Sequence, residues 1–434
     1  MDTVVTICAL VAAIIIKGLL FLFYTKQAEK KGPKKKQIYE IVQKGRQTGA
    51  KRVLVTGGCG FLGSCIVRQL EERLGPKVDI VVLDTAVHTK FGPMLPDVTF
   101  ISGDICTYTH VQMATAGVEC VVHTAGLVGD CRTTESAFTA VNEQGTRNVV
   151  EACLERDVRV LVYTSSVSVL FSASAAKNSG GGGLLEPALE TAKPLSAEDL
   201  NGGYARSKAA AERLVLAANS HVLHTIALRP GGVYGHNDPN LMTYIMAGRD
   251  FSGPGDVRVP FVWVEDAARG HVDAVEQLLF PRPDAPRIHG RAYHLCHDPV
   301  RDPFTYQEML GGSPTAQSAF GPRHASVKAK EAAAGVQDPP PAGLNAYGRR
   351  LNKKLSYKLV RVLALVNYWV AQRLGIVLID PAFTPQNMHY AANHCPCDVT
   401  DARELLGWEP TPWRVVAKKL GEEWAADKGK VKAA

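Results

Sequence analysis

The chain has no pair of cysteines at metal-ligand spacing. Its ten cysteines are scattered, and the tightest pair, Cys395 and Cys397, encloses a single proline. That arrangement lacks the two-residue spacer and the second pair of a structural zinc site, so no metal site is read from it. Cys120, Cys153 and Cys296 stand among apolar neighbours, as reduced thiols in a cytosolic fold do. Internal repeats are absent too, which removes solenoids and propellers from consideration. A broad basic surface is also missing. The net charge is +7, yet residues 26–52 alone carry ten basic and two acidic residues, a local balance of +8, so the remainder sums to −1. This distribution speaks against a nucleic-acid partner and for a basic collar at one place.

The collar follows an apolar run at residues 4–24, VVTICALVAAIIIKGLLFLFY, interrupted by charge only at Lys17. The run is long enough to cross a hydrocarbon core of about 30 Å as a helix. It has no basic segment before it and no small-residue cleavage site after it, which disfavours a signal peptide. Lys30, Lys31, Lys34, Lys35 and Lys36 flank its C-terminal side. The excess of positive charge on that side predicts a single-pass N-terminal membrane anchor with the catalytic bulk in the cytosol. The endoplasmic reticulum is the expected membrane.

From residue 51 onward, apolar runs alternate with helical periodicity. RVLVTG, VDIVVLD, VTFISGD, ECVVHTAG, VRVLVYTSS and HTIALRP read as six strands, with helices over 61–74, 134–156 and 204–218. Near-continuous apolar strands separated by helices predict an α/β fold built on a doubly wound parallel sheet. The expected division is an anchor at 1–25, a basic linker at 26–50, a nucleotide domain at 51–235 and a smaller C-terminal substrate lobe at 236–425. Residues 311–344 lack an apolar period and read as a flexible insertion, and residues 172–201, with four successive glycines, as a surface insertion. The apolar stretch at 355–380 carries Lys358, Arg361 and Arg373. It suits a helix on the substrate lobe, or one lying in a membrane interface, better than a membrane span.

TGGCGFLGS joins the first strand to the first helix, with Gly57, Gly60 and Gly63 three residues apart and Phe61 and Leu62 between the last two. Small residues at that junction let the backbone approach a pyrophosphate, and the helix N-terminus offers N–H groups to its charge. Asp84 ends the second strand at the distance where a carboxylate accepts hydrogen bonds from a ribose diol. It would repel a 2′-phosphate, so NAD is favoured over NADP. Asp104 and Ile105, at the end of the third strand, are placed to meet the adenine. Thr124, Ala125 and Gly126 follow the fourth strand beside the cofactor, and Ser165 and Ser166 end the fifth. Tyr204 and Lys208 are one turn apart on the next helix.

Taken in order, TGGCGFLGS, VVHTAG, VNEQGTRNVVEAC, YTSSVSV, YARSK, ALRPGGVYG, FVWVEDAARGHV, AYHLCHD and LLGWEPTPW make the chain resemble the 3β-hydroxysteroid dehydrogenase/isomerase family. That family lies within the extended short-chain dehydrogenases/reductases, and the resemblance covers about residues 52–413. It implies a Rossmann-type nucleotide domain, with Tyr204 as acid/base. Lys208 would stabilise the phenolate and hold the nicotinamide ribose. Ser166 would hydrogen-bond the substrate oxygen, with Ser165 as the alternate. Pro230, Gly231 and Val233 would line the nicotinamide side. Asn142 is assigned either to anchoring the helix behind the site or to a structural role, His123 to the core, and Glu265 and Asp266 to a structural element outside catalysis. The implied partners are NAD and a sterol or steroid with a 3β-hydroxyl, a 4α-carboxysterol among them, together with a membrane. Pairing into a homodimer stays open. A nucleotide-sugar epimerase or decarboxylase, a reductase of flavonoid-like ketones and a non-catalytic NAD-binding subunit are the rival readings.

Overall fold

A computed structural model describes residues 49–86, 95–171, 187–200, 202–238, 251–252, 258, 260–303, 325–335, 355–379, 384, 385, 387 and 396–433. Seven parallel strands form the central sheet: β1 (Lys51–Thr56), β2 (Val78–Asp84), β3 (Thr99–Ser102), β4 (Cys120–His123), β5 (Val160–Thr164), β6 (His224–Pro230) and β10 (Arg291–Leu295). Their spatial order is β10-β6-β5-β4-β1-β2-β3. The chain lays β2 and β3 on one side of β1 and then returns to place β4 on the other. That reversal opens a crevice beyond the carboxyl ends of β1 and β4, where ligands sit in open α/β sheets.

Both faces of the sheet are buried, because alternate side chains of each strand point to opposite sides. Val53, Val55, Ile80, Val82, Val122 and Val162 pack into one cluster; Leu54, Val81, Leu83, Val121 and Leu161 pack into the other. On the first face lie α1 (Phe61–Leu74) and α6 (Val264–Leu279). Gly270 lets α6 approach closely: a Cβ there would lie 2.8 Å from Leu295. The two helices are laced at their rim by Arg73 to Asp273 (2.7 Å) and to Glu276 (2.6 Å), and by Arg68 to Glu265. On the opposite face, α2 (Tyr108–Ala114), α4 (Gly145–Glu155) and α5 (Gly202–Ala217) cover the sheet. The short helix α3 (Glu135–Phe138) runs into α4 through a π-helical turn over Thr139–Gln144.

The expected cut at residue 235 is not a spatial boundary. Strand β10 completes the sheet and α6 covers it, although both come from the segment assigned to the substrate lobe. The insertion at 311–344 needs a second correction. Within it α7 (Ala325–Ala333) is helical and carries a buried Val327. It rests on the last helix, α10 (Trp413–Ala433), through Lys418, whose ammonium donates to the Ala334 carbonyl at 2.8 Å. Its alanines and lysines have good helix propensity, but one buried apolar residue gives no periodic signal. The glycine run at 180–183 and the predicted anchor at 4–24 lie outside the described residues. Among the described residues no helix is long and apolar enough to cross a membrane.

Two buried polar side chains knit the chain together from inside. Glu190 accepts backbone N–H groups of His294 (2.8 Å), Asp401 (2.5 Å) and Ala402 (3.2 Å), joining the 187–200 segment to β10 and to α9 (Thr400–Glu404). Arg229 on β6 forms a two-pronged ion pair with Glu212 on α5, with Nη2–Oε1 at 2.5 Å and Nε–Oε2 at 3.0 Å; both side chains are fully buried. Its remaining N–H groups reach the carbonyls of Ala192 and Glu190. Replacing Arg229 with Met should therefore destabilise the fold by about 3–5 kcal/mol, because it strands a buried carboxylate. A lowered urea midpoint with an unchanged slope would show it, whereas an unchanged midpoint would mean that Glu212 finds another partner.

Candidate active site

The glycine turn after β1 is shaped by contact with the turn after β4. Gly57 has φ +72°, and a Cβ there would lie 2.6 Å from Ala125 Cα. A Cβ on Gly63 would lie 2.1 Å from the Gly57 carbonyl oxygen, so only glycine fits where the helix crosses the turn. The N-terminus of α1 at Gly60 has no side-chain cap and no acidic residue in its first turn. It is thus suited to an anionic group, and Phe61 and Leu62 open the helix there. Asp84 accepts the Cys59 N–H on Oδ2 (3.0 Å) and the Ala86 N–H on Oδ1 (3.0 Å). These bonds fix the carboxylate beside the turn and leave lone pairs for a diol. The residues therefore fit the diphosphate and ribose of a dinucleotide.

The neighbouring positions converge on the same crevice. Asp104 and Ile105 lie just past β3, which stops at Ser102, rather than within it. The Asp104 carboxylate caps the turn by accepting the Cys106 N–H at 2.9 Å, and Ile105 is buried against Gly145. Thr124 continues β4, its N–H donating to the Thr56 carbonyl, and Ala125 is held by Thr56 Oγ1. Pro230 ends β6. Val233 lies in β7 (Gly232–Tyr234), paired with Val262 of β9 (Phe261–Trp263). Gly231 between them passes so close to the Pro260 carbonyl that a Cβ would lie 2.1 Å from it.

The two serines after β5 have different surroundings. Ser165 donates its hydroxyl to Glu212 Oε2 at 2.6 Å and is engaged in the buried charge network. Ser166 caps the short helical turn Val167–Leu170, accepting the Ser168 N–H, and its hydroxyl acts on the Tyr204 phenol. Their partners thus separate the pair: Ser166 acts on the tyrosine, and Ser165 is engaged by Glu212. Burial raises the Tyr204 phenol above its ordinary value near 10, and the Ser166 hydroxyl pulls it back down by hydrogen-bonding the phenolate. Phe138 stands edge-on to the Tyr204 ring at 6.0 Å.

Lys208 is held by the end of β5. Its ammonium donates to the Thr164 carbonyl at 2.8 Å and lies 5.0 Å over the Tyr163 ring. The Ser166 hydroxyl lowers the Tyr204 phenol. Burial brings the ammonium itself down to about 8, opposed by the nearby Glu212 carboxylate. The lysine therefore remains mostly charged at neutral pH, held against the end of β5. A Cβ on Gly126 would lie 3.2 Å from the Lys208 Nζ and 3.3 Å from Asn142 Oδ1, so the absence of a side chain at 126 leaves the lysine open to the crevice.

Asn142, in the π-helical turn, clamps the loop in front of the site. Its Oδ1 accepts the Leu127 N–H at 2.7 Å, and its Nδ2 donates to the Leu127 carbonyl and to Ser207 Oγ, each at 3.0 Å. His123 is fully buried between Thr56 Oγ1 (2.7 Å) and Thr146 Oγ1 (2.9 Å), and burial holds it neutral, down to about 3. Glu265 and Asp266 lie away from the crevice. Asp266 binds the Thr411 N–H (2.7 Å) and hydroxyl (2.9 Å), and the buried Trp408 indole donates to its carbonyl. The supporting pair Glu212–Arg229 was not among the residues picked out by sequence. Its two members stand seventeen residues apart, one turn beyond Lys208 and within LRPGG, and only the crossing of α5 over β6 brings them together. Every described cysteine is a free thiol, and no cluster of metal-ligating side chains occurs among the described residues.

Comparison with known proteins agrees with this arrangement. Residues 54–312 match the model of the 3-beta hydroxysteroid dehydrogenase/isomerase family. The human 3 beta-hydroxysteroid dehydrogenase type 7 is 32% identical over 82% of this chain and 90% of its own. The human decarboxylating sterol-4-alpha-carboxylate 3-dehydrogenase is 32% identical over 65% of this chain and 71% of its own. Among solved structures, MoeE5 in complex with UDP-glucuronic acid and NAD superposes with a TM-score of 0.53 at 20% identity, covering 87% of this chain and 99% of that one, a likeness of fold alone. The chain belongs to the 3-beta hydroxysteroid dehydrogenase/isomerase family, and with it to the NAD-dependent oxidoreductases that act on a CH–OH group.

Two predictions test the geometry. Gly63→Ala should weaken NAD binding at least about tenfold, equivalent to about 1.4 kcal/mol, when titrated calorimetrically; unchanged affinity would mean the turn can shift to admit a methyl group. Ser166→Ala removes the bond that lowers the Tyr204 phenol, so that phenol rises further. Because oxidation requires the tyrosine to accept a proton, the acidic limb of kcat/KM should move to higher pH. A pH profile that falls in amplitude without moving would assign Ser166 to substrate binding only.

Proposed function

We propose that the protein oxidises the 3β-hydroxyl of a membrane-borne sterol to the 3-ketone, using NAD. What supports this reading is Ser166, whose hydroxyl lowers the Tyr204 phenol, with Lys208 held at the carboxyl end of β5 and the glycine turn at the end of β1. Bound NAD supplies an acceptor for the hydride that leaves the carbinol carbon. Tyr204 takes the hydroxyl proton, Ser166 holds the substrate oxygen, and Lys208 holds the nicotinamide ribose and keeps a positive charge behind the pair. Asp84 takes the adenine ribose, Gly57, Gly60 and Gly63 with Phe61 and Leu62 the diphosphate, and Asp104 and Ile105 the adenine side. Thr124, Ala125, Pro230 and Val233 line the rest of the cofactor path.

The relatives favour a sterol with a 4α-carboxylate as one substrate of this site. Oxidation at C3 would make a β-keto acid, whose C–C bond breaks with the electron pair passing into the new carbonyl. The oxygen that gathers that charge is the one already hydrogen-bonded by Ser166 and the protonated Tyr204, so carbon dioxide can leave with no further catalytic residue. In this reading residues 4–24 hold the enzyme in the endoplasmic reticulum membrane with the basic collar on the cytosolic side.

The experiment is turnover of 3β-hydroxysterols, 4α-carboxysterols and UDP-sugars by the full chain in mild detergent, followed as reduced nicotinamide. Sterol oxidation with NAD, lowered about 10²–10⁴-fold in Tyr204→Phe while NAD binding persists, is the expected result. Released carbon dioxide would single out the carboxysterol. Turnover confined to UDP-sugars, or NAD binding with no turnover of any substrate, would overturn it.

A further inference from the structure

Helix α6 reaches the reacting end of the molecule through one side chain, His271. The imidazole is fully buried and folds back on its own helix: Nδ1 lies 2.7 Å from the Ala267 carbonyl, and Nε2 lies 2.8 Å from Thr164 Oγ1. A carbonyl can only accept, so Nδ1 carries the proton. Burial holds the ring neutral, down to about 4, which leaves Nε2 bare as an acceptor. The Thr164 hydroxyl is therefore the donor, and its direction is set from α6.

Thr164 is the last residue of β5, one past that strand's final pairing with β4, which joins Tyr163 to His123. Its side chain shares the side of Val160 and Val162, which pack in the cluster that α6 covers. Its carbonyl accepts the Lys208 ammonium at 2.8 Å, and Lys208 comes from α5 on the opposite face of the sheet. Ala267, His271, Thr164 and Lys208 thus form one run of polar contacts from helix layer to helix layer. The other neighbours of the ammonium are less directional. They are the Tyr163 ring, the buried neutral His123 beside that ring, and Glu212 one turn along α5, a carboxylate already engaged by Arg229 and Ser165. Around His271 the buried face of α6 is apolar, with Ala267, Ala268, Val272 and Val275. An imidazole among these is costly unless both nitrogens are matched, and the match that Nε2 finds is the residue that holds the lysine.

We infer that His271 is a positioning residue of the active site: by holding the Thr164 hydroxyl it fixes the end of β5, and so aims the Lys208 ammonium at the nicotinamide ribose. This role rests on the one given to Lys208 above, and it is independent of which alcohol the site oxidises. The imidazole acts only through Thr164 and exchanges no proton.

Calorimetric titration of NAD into the full chain in mild detergent tests this. His271→Asn keeps a donor for the Ala267 carbonyl but is too short to meet Thr164, whereas His271→Gln places an acceptor near the position of Nε2. Thr164→Val removes the hydroxyl from the other end of the bond and leaves the carbonyl, so the test stands even where His271→Asn fails to fold. His271→Asn and Thr164→Val should each weaken NAD binding about tenfold. His271→Gln should stay within about twofold of wild type. In a Lys208→Met background, itself weakened, His271→Asn and Thr164→Val should cost nothing more, because their effect passes through the lysine. A histidine that serves stability alone would lower the thermal midpoint and leave NAD affinity unchanged, which would overturn the inference. Losses that add to that of Lys208→Met, or equal weakening by His271→Asn and His271→Gln, would also overturn it. Wild-type affinity in Lys208→Met would instead remove the lysine from the ribose, and the role of His271 would fall with that reading.

Discussion

The buried Arg229–Glu212 pair is the constraint on which the site depends. A guanidinium and a carboxylate out of water are tolerated only when nearly every donor and acceptor is matched, and here the matching partners come from four separate places. Strand β6 supplies Arg229, helix α5 supplies Glu212, the end of β5 supplies the Ser165 hydroxyl, and the 187–200 segment supplies two carbonyls. Satisfying this one pair therefore sets where α5 crosses the sheet. Since Tyr204 and Lys208 are on α5 and Ser166 follows Ser165, the same interaction positions the three groups at the reacting end.

Lys208 illustrates how this arrangement shapes chemistry. Its backbone position follows from α5, yet its ammonium is directed by the Thr164 carbonyl and the Tyr163 ring, both belonging to β5. The carboxyl end of β5 thereby holds the charge beside the space that Gly126 leaves. Tyr204 is left with a hydroxyl partner and an apolar neighbour, a setting whose burial disfavours the phenolate and whose hydroxyl favours it. Oxidation therefore proceeds from the fraction of the tyrosine that has lost its proton, which the Ser166 hydroxyl enlarges.

The outer parts of the molecule follow a different logic. Helix α6 is pressed onto the sheet by small residues and locked at its start by the WEPTP segment through Asp266 and Trp408. Helix α8 (Tyr357–Leu374) is attached through amides and alanines. The first is a core helix in every respect. The second turns its large apolar side chains outward.

The sequence by itself determined the strand–helix alternation, the glycine turn with its carboxylate twenty-odd residues later, and the order Ser, Tyr, Lys, because each rests on local spacing along one element. Periodicity of buried strands and the φ freedom of glycine are properties of neighbouring residues and survive without knowledge of the fold. Only the tertiary structure decided which of Ser165 and Ser166 acts on Tyr204, where the Lys208 ammonium points, and that residues 261–296 belong to the nucleotide layer. Those outcomes depend on side chains from β6, α5 and β10 meeting across long sequence separations, which no local pattern encodes. The helix within 311–344 escaped for a related reason: its stability comes from contact with α10 and not from a periodic apolar face of its own.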